Sequence, residues 1–129
     1  MDKRKGTIAF DFDNVIHIRY KGYRNGEIYG EINYPLLEYI FDILMPKYYI
    51  CIFSCRNATQ IVNYMNDNLK DSPYENTVKF ELIDDKTLFW DKPNIVGVTN
   101  KKPPAILYVD DKAHRFIDVK TLNNFLKRR

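Results

Sequence analysis

The sequence predicts an α/β domain built on a mainly parallel sheet, and three observations carry that prediction. Short apolar runs of strand length recur at residues 7–10, 49–53 and 105–109, and each runs straight into a polar residue. Between the first two and after the second lie stretches whose apolar residues recur at helical spacing, Leu36 to Leu44 and Ile61 to Leu69. At 129 residues the chain is long enough for one hydrophobic core and too short for two.

Taken in order, residues 1–5 read as a loose end. Strand one is Thr7-Ile8-Ala9-Phe10, closed by the loop Asp11-Phe12-Asp13-Asn14-Val15. Residues 16–33 place Gly22, Gly26 and Gly30 among Tyr, Arg, Lys and Ile, which predicts a hairpin with arms 16–20 and 27–32, turning at Arg24-Asn25-Gly26. Pro35 then opens a helix, where proline is tolerated, with Leu36, Leu37, Tyr39, Ile40, Ile43 and Leu44 as its apolar face and Pro46 as its end. Strand two, Tyr49 to Phe53, leads into Ser54. Asn57 is placed to cap a helix carrying Ile61, Val62, Tyr64, Met65 and Leu69. Val78 to Ile83 alternates as a strand does, Asp84-Asp85-Lys86 reads as a turn, and Ile95 to Val98 as a short strand. Lys101-Lys102-Pro103-Pro104 precedes the last apolar strand, which ends in Asp110-Asp111. A helix over about residues 119–127 brings Leu122, Phe125 and Leu126 to the core, with Lys127, Arg128 and Arg129 at its negative end.

The net charge of +3 suits an anionic substrate and does not demand nucleic acid. No apolar run is long enough to cross a membrane, and the basic start leads into strand one without a signal peptide. Cys51 and Cys55 are separated by four residues, roughly 13 Å of extended chain, which is beyond disulfide reach. Two thiols also fall short of a structural zinc site, so both read as reduced, as in a cytoplasmic compartment.

Two carboxylates two residues apart, Asp11 and Asp13, are costly at the end of a buried strand unless a metal ion or a shared proton holds them. Carboxyl ends of strands are where open α/β sheets bind ligands. Alone, such a pair is as well explained by a solvated acidic turn. Here three strands deliver polar groups at their carboxyl ends, and a lysine arrives from a nearby loop. The order of Asp11/Asp13, Ser54, Lys102 (or Lys101) and Asp110/Asp111 resembles the four motifs of the haloacid dehalogenase superfamily. The resemblance spans Ile8 to Asp111, and the likeness is nearest to small phage- and bacterium-encoded members of unassigned substrate. Asn14 stands where Gly is frequent in that family, and Val15 where Thr is.

The resemblance implies a Rossmann-like three-layer sandwich with a mainly parallel central sheet, helices on both faces and strand one placed centrally. It implies a single domain over residues 1–129, with a β-hairpin flap over about residues 16–34 and no full cap. The activity implied is a Mg²⁺-dependent phosphatase acting on a phosphate monoester through an aspartyl-phosphate. Asp11 is then the nucleophile, Asp13 the acid and base, and Lys102 the neutralising cation. Asp11, Asp13 (through its backbone carbonyl), Asp110 and Asp111 are the metal set. Ser54, Cys55, Arg56 and Asn14 bind substrate. The phosphorylated substrate is left open between a small molecule and a macromolecular end. Two other readings stand beside this one: a catalytically silent binding module of the same fold, and a polynucleotide 3′-phosphatase. His17, Arg19, Tyr20, Lys21, Tyr23 and Arg24 make a basic, aromatic rim around this centre, and His114 follows the acidic pair; each taken singly reads as an ordinary surface or structural residue.

Overall fold

The computed structural model describes residues 4–22, 24–110 and 119–127, with the side chains of Thr121 and Phe125 excepted. Tyr23, Asp111 and His114 lie outside the described residues. The centre is a five-stranded sheet. Its strands are β1 (Thr7–Asp11), β4 (Tyr49–Phe53), β5 (Lys79–Leu82), β6 (Ile95–Thr99) and β7 (Leu107–Val109), in the order β5-β6-β4-β1-β7. Every pairing in it is parallel. β1 is an interior strand, flanked by β4 and β7. A separate two-stranded antiparallel ribbon, β2 (His17–Ile18) and β3 (Glu31–Ile32), pairs His17 with Ile32 and Ile18 with Glu31.

One face of the sheet carries Ile8, Phe10, Ile50, Ile52, Phe80, Val96, Val98, Leu107 and Val109, all buried. The helices pack against this face. They are α1 (Tyr34–Tyr39), continued by a π-helical turn over Ile40–Leu44, then α2 (Ala58–Leu69) and α3 (Val119–Lys127). Their buried residues Leu36, Leu37, Ile40, Phe41, Leu44, Ile61, Met65, Leu69 and Leu122 join the same apolar cluster. Asn33 caps α1, its side-chain oxygen accepting from the Leu36 N–H at 3.3 Å, while its amide donates to the Val15 carbonyl at 3.2 Å. Asn57 caps α2 through the Gln60 N–H at 3.0 Å.

Two expectations are corrected here. The apolar face of the first helix was expected to include Ile43, but Ile43 is 45% exposed and Phe41 is buried instead. The π-helical turn, in which the Met45 N–H reaches the Ile40 carbonyl at 2.8 Å, holds one residue more per hydrogen-bonded loop and rotates the following positions. Second, the described helices lie on one face, not both. The opposite face, with Ala9, Cys51, Phe53 and Tyr108, is covered by the connections before and after β6, at Ile83 and Ala105, and above all by Trp90. Trp90 donates its Nε1–H to the Ile95 carbonyl at 3.0 Å and lies flat on Gly97, where a Cβ would come within 2.6 Å of the ring. Pro93, Pro103 and Pro104 interrupt these connections, so neither has a helical run. Among the described residues no helix is long and apolar enough to cross a membrane.

Candidate active site

The parallel register decides what meets at the carboxyl edge of the sheet. Asp11 lies opposite Phe53, and Phe10 lies opposite Val109. One step further along the same strands come Ser54 on β4 and Asp110 on β7, on either side of the β1 end. Adjacent strands are about 4.8 Å apart, so Asp11, Ser54 and Asp110 emerge as neighbours. Asp11 accepts the Phe12 N–H at 2.7 Å, which fixes its carboxylate at the start of the loop. Asn14 takes a left-handed backbone, φ 67°. Asn and Gly are the residues that tolerate it.

Asp13 is the most heavily engaged side chain of the site. The Arg56 Nε–H lies 2.9 Å from its Oδ1 and 2.8 Å from its Oδ2. His17 Nδ1 lies 2.8 Å from Oδ1. The other ring nitrogen, Nε2, is 2.8 Å from the Gly30 N–H. A backbone N–H can only donate, so Nε2 must be the acceptor. The ring proton is therefore on Nδ1, and neutral His17 donates to Asp13. His17 is fully buried and stacked on Tyr20, with ring centroids 4.2 Å apart. The Tyr20 phenol lies close enough to Asp13 to feel its carboxylate. Burial first, then the neighbouring Asp13 carboxylate, pushes that phenol up to about 12. Gly30 is glycine for a reason of space: a Cβ there would sit 2.4 Å from the Ile18 carbonyl and 2.7 Å from His17 Nε2.

Arg56 does two things at once. Its side chain is only 8% exposed, and its Nη1 donates to the carbonyls of Gly26 and Glu27 at 2.9 and 3.1 Å. Gln60 Nε2 donates to the same Gly26 carbonyl at 2.8 Å. The ribbon is thus tied to the loop after β4 and to the first turns of α2. The expectation that Arg56 holds substrate is met by a different placement: its guanidinium is turned to Asp13 and the ribbon. Ser54 is buried and accepts the Arg56 N–H at 3.1 Å, and the Asn100 amide holds the carbonyls of Ser54 and Arg56. Cys55 is exposed with a free thiol, whereas burial pushes the Cys51 thiol up to about 12.

The two lysines part company. Lys101 is 77% exposed and pairs with Asp85 at 3.8 Å. Lys102 places its Nζ 4.3 Å from the centre of the Tyr108 ring. Tyr108 packs edge-to-face on Phe53, the residue opposite Asp11. Lys102 therefore lies on the face of the sheet from which Asp11 projects. On the ribbon, Arg19 pairs with Glu31 at 2.6 Å and Arg24 lies over the Tyr29 ring. Among the described residues no three carboxylate, imidazole or thiol groups converge as a ready metal cluster.

A cavity of about 540 Å³ opens beside Asp13, between the ribbon and the start of α2, and is lined by Tyr20, Asn25, Cys55, Arg56, Asn57 and Gln60. A hollow of about 640 Å³ at the opposite, amino end of the strands, lined by Lys5, Lys47, Tyr48 and Ile106, carries none of the site carboxylates. No family model, curated protein or solved structure matches the chain. Gln60 and Asn100 are the site residues that sequence reasoning passed over, while His17 and Tyr20 were placed in the rim and read singly as ordinary residues. His17 had one signal, its place four residues after Asp13. Its other partner, Gly30, is visible only once the ribbon has formed.

Proposed function

We propose that the chain is a Mg²⁺-dependent phosphatase that hydrolyses a phosphate monoester through an aspartyl-phosphate, on a pared-down Rossmann-like fold with the β2–β3 ribbon as its flap. The observation that carries this reading is the register of β4, β1 and β7, which delivers Ser54, Asp11 and Asp110 to one edge. Asp11 Oδ would attack phosphorus while the bond to the leaving alcohol breaks. Asp13 would give a proton to the leaving oxygen, then take one from the water that releases phosphate from Asp11. Ser54 and the N–H groups after it would bind phosphoryl oxygens, and Lys102 would offset the charge of nucleophile and phosphate together.

The donor chemistry fits Mg²⁺: Asp11, the Asp13 carbonyl and Asp110 are hard oxygens, and this ion is usually held by one or two carboxylates with waters completing its shell. When bound, it supplies charge neutralisation that lets an anionic phosphoryl group approach an anionic nucleophile. Asp111 remains a second candidate for the acidic partner.

The donors around Asp13 favour one rival. For Asp13 to carry a proton, Arg56 or His17 has to yield one of its oxygens. A carboxylate so fully occupied is also what a structural anchor in a catalytically silent binding module would look like. A panel of phosphate monoesters assayed with Mg²⁺ and with EDTA separates the two readings. Turnover lost on chelation supports the phosphatase. No turnover of any ester, with no Mg²⁺ binding by calorimetry, leaves the binding module.

A further inference from the structure

We infer that the cavity beside Asp13 takes the alcohol part of a small phosphate monoester whose leaving group is uncharged and rich in hydroxyls, of the sugar or nucleoside kind; this rests on the phosphatase reading for the place of the phosphoryl group. The acid that protonates a leaving oxygen must touch it, so the leaving group lies on Asp13's side of the site. That side is where the cavity of about 540 Å³ lies, a volume within the usual range for small-molecule sites, roughly 300–1,000 Å³.

Its lining sets the chemistry. The charged side chains in it, Asp13 and Arg56, are spent on each other at 2.8 Å. A second phosphate or carboxylate on the substrate would have to pull Arg56 from that pair. Beside the Tyr20 phenol and the Cys55 thiol, the remaining polar side chains are the amides of Asn25, Asn57 and Gln60. Asn57 uses its carbonyl oxygen to cap α2, and Gln60 uses its NH₂ group on the Gly26 carbonyl. An amide NH₂ of Asn57 and an amide oxygen of Gln60 are thereby left over, one donor and one acceptor. A hydroxyl, which both donates and accepts, complements that pair.

One wall of the cavity limits the size of its occupant. Arg56 and Gln60 together make three hydrogen bonds to the ribbon carbonyls of Gly26 and Glu27, at 2.8–3.1 Å. A polymer cannot thread between ribbon and α2 without breaking them.

Cys55 supplies a readout independent of turnover, because it is the exposed thiol in the cavity lining while Cys51 is buried. In the Asp11→Asn protein with Mg²⁺, a hexose 6-phosphate and a nucleoside 5′-monophosphate are each tested for slowing alkylation of Cys55 by iodoacetamide. At least one is expected to slow it fivefold or more at millimolar concentration, with inorganic phosphate alone slowing it less than twofold. In the unmodified protein, kcat/KM is expected to be at least tenfold higher for that small ester than for its bisphosphate, a 3′- or 5′-phosphorylated oligonucleotide or a phosphopeptide. Gln60→Glu, which places a charge in the lining, is expected to raise KM for the small ester about tenfold. Protection of Cys55 without turnover of any ester would keep the pocket and remove the phosphatase. Turnover that prefers the oligonucleotide, phosphopeptide or bisphosphate, or protection by inorganic phosphate alone, would overturn the assignment of the pocket.

Discussion

The two flanks of the β1 end are built differently. On the ribbon side, Asp13 is held by His17 and Arg56, and both reach on to the ribbon backbone, at Gly30 and at Gly26 and Glu27. On the lysine side, Lys102 rests on one aromatic ring, at the end of a proline-broken connection that covers a sheet face without a helix of its own. The difference matches what the proposed phosphatase chemistry would ask of each side. A proton donor must sit within hydrogen-bond reach of one oxygen, so its geometry has to be fixed. A lysine acts as a compact charge on a flexible stem and tolerates a looser seat.

The largest break in that comparison lies at its centre. Asp11→Asn should abolish turnover, since an amide oxygen is a poor nucleophile. Asp13→Asn should cost about 10²–10⁴-fold, the usual range for losing acid–base help. With a good leaving group such as p-nitrophenolate the loss should fall on the second step. Phosphoenzyme should then accumulate and be found on Asp11 by mass spectrometry after an acid quench. A phosphate mapped to any other residue would overturn both roles.

Next in size is the lysine side. Lys102→Met should lower kcat by about 10²-fold, comparable with removing one charge-stabilising group from an active site. Lys101→Met should change it less than twofold, because an exposed pair such as Lys101–Asp85 contributes little. Steady-state kinetics on both variants decides the matter, and equal effects would mean that the ring contact of Lys102 has nothing to do with the site.

A smaller break is expected on the ribbon side. His17→Ala leaves the Gly30 N–H without its buried partner, and should cost about 1–3 kcal/mol of stability for the unsatisfied group. Urea denaturation measures that loss. Amide hydrogen exchange should show Glu27 and Gly30 losing protection ahead of β1 and β4. If the ribbon amides exchange as in the parent chain, the imidazole is filler and not a tie.

What the sequence showed and what it hid divide along the range of the interactions. β4, the Asn57 cap, the Asp84 turn and the short strand at Ile95 were legible because runs, caps and turns are set by neighbours in the chain. The outward turn of Ile43 was not, because a π-helical turn breaks the period on which the reading rests. The cage around Asp13 was not, because apart from the His17–Asp13 contact its bonds join residues 13 to 43 positions apart and depend on where the ribbon settles. The bare second face follows from prolines that were in view, but their consequence for layering appears only once the strand order is known.

The smallest effect separates the flanks by pH. Burial raises the Cys51 thiol from 9.0 to about 12 on the helix-free face. Burial and Asp13 raise the Tyr20 phenol from 10.0 to about 12 on the ribbon side. Both groups are neutral when protonated, and both release their proton more readily in the unfolded chain. Above the unfolded value the unfolded state therefore binds fewer protons than the native one, and stability falls as pH rises. The contribution of Cys51 is complete below pH 9 and lost as pH climbs towards 12; that of Tyr20 is complete below pH 10 and lost over the interval above it. Tyr39 and Tyr74 are raised too, by burial first, so the upper interval is shared among phenols. The interval from pH 9 to 10 belongs to Cys51 among these groups. Cys51→Ala should lower the urea midpoint at neutral pH slightly and flatten its decline between pH 9 and 10. Tyr20→Phe should leave that interval unchanged and soften the decline above it. A Cys51→Ala protein whose midpoint falls as steeply as the parent's between pH 9 and 10 would show that the thiol is not sealed beneath Trp90, and that the loop-covered face opens to solvent.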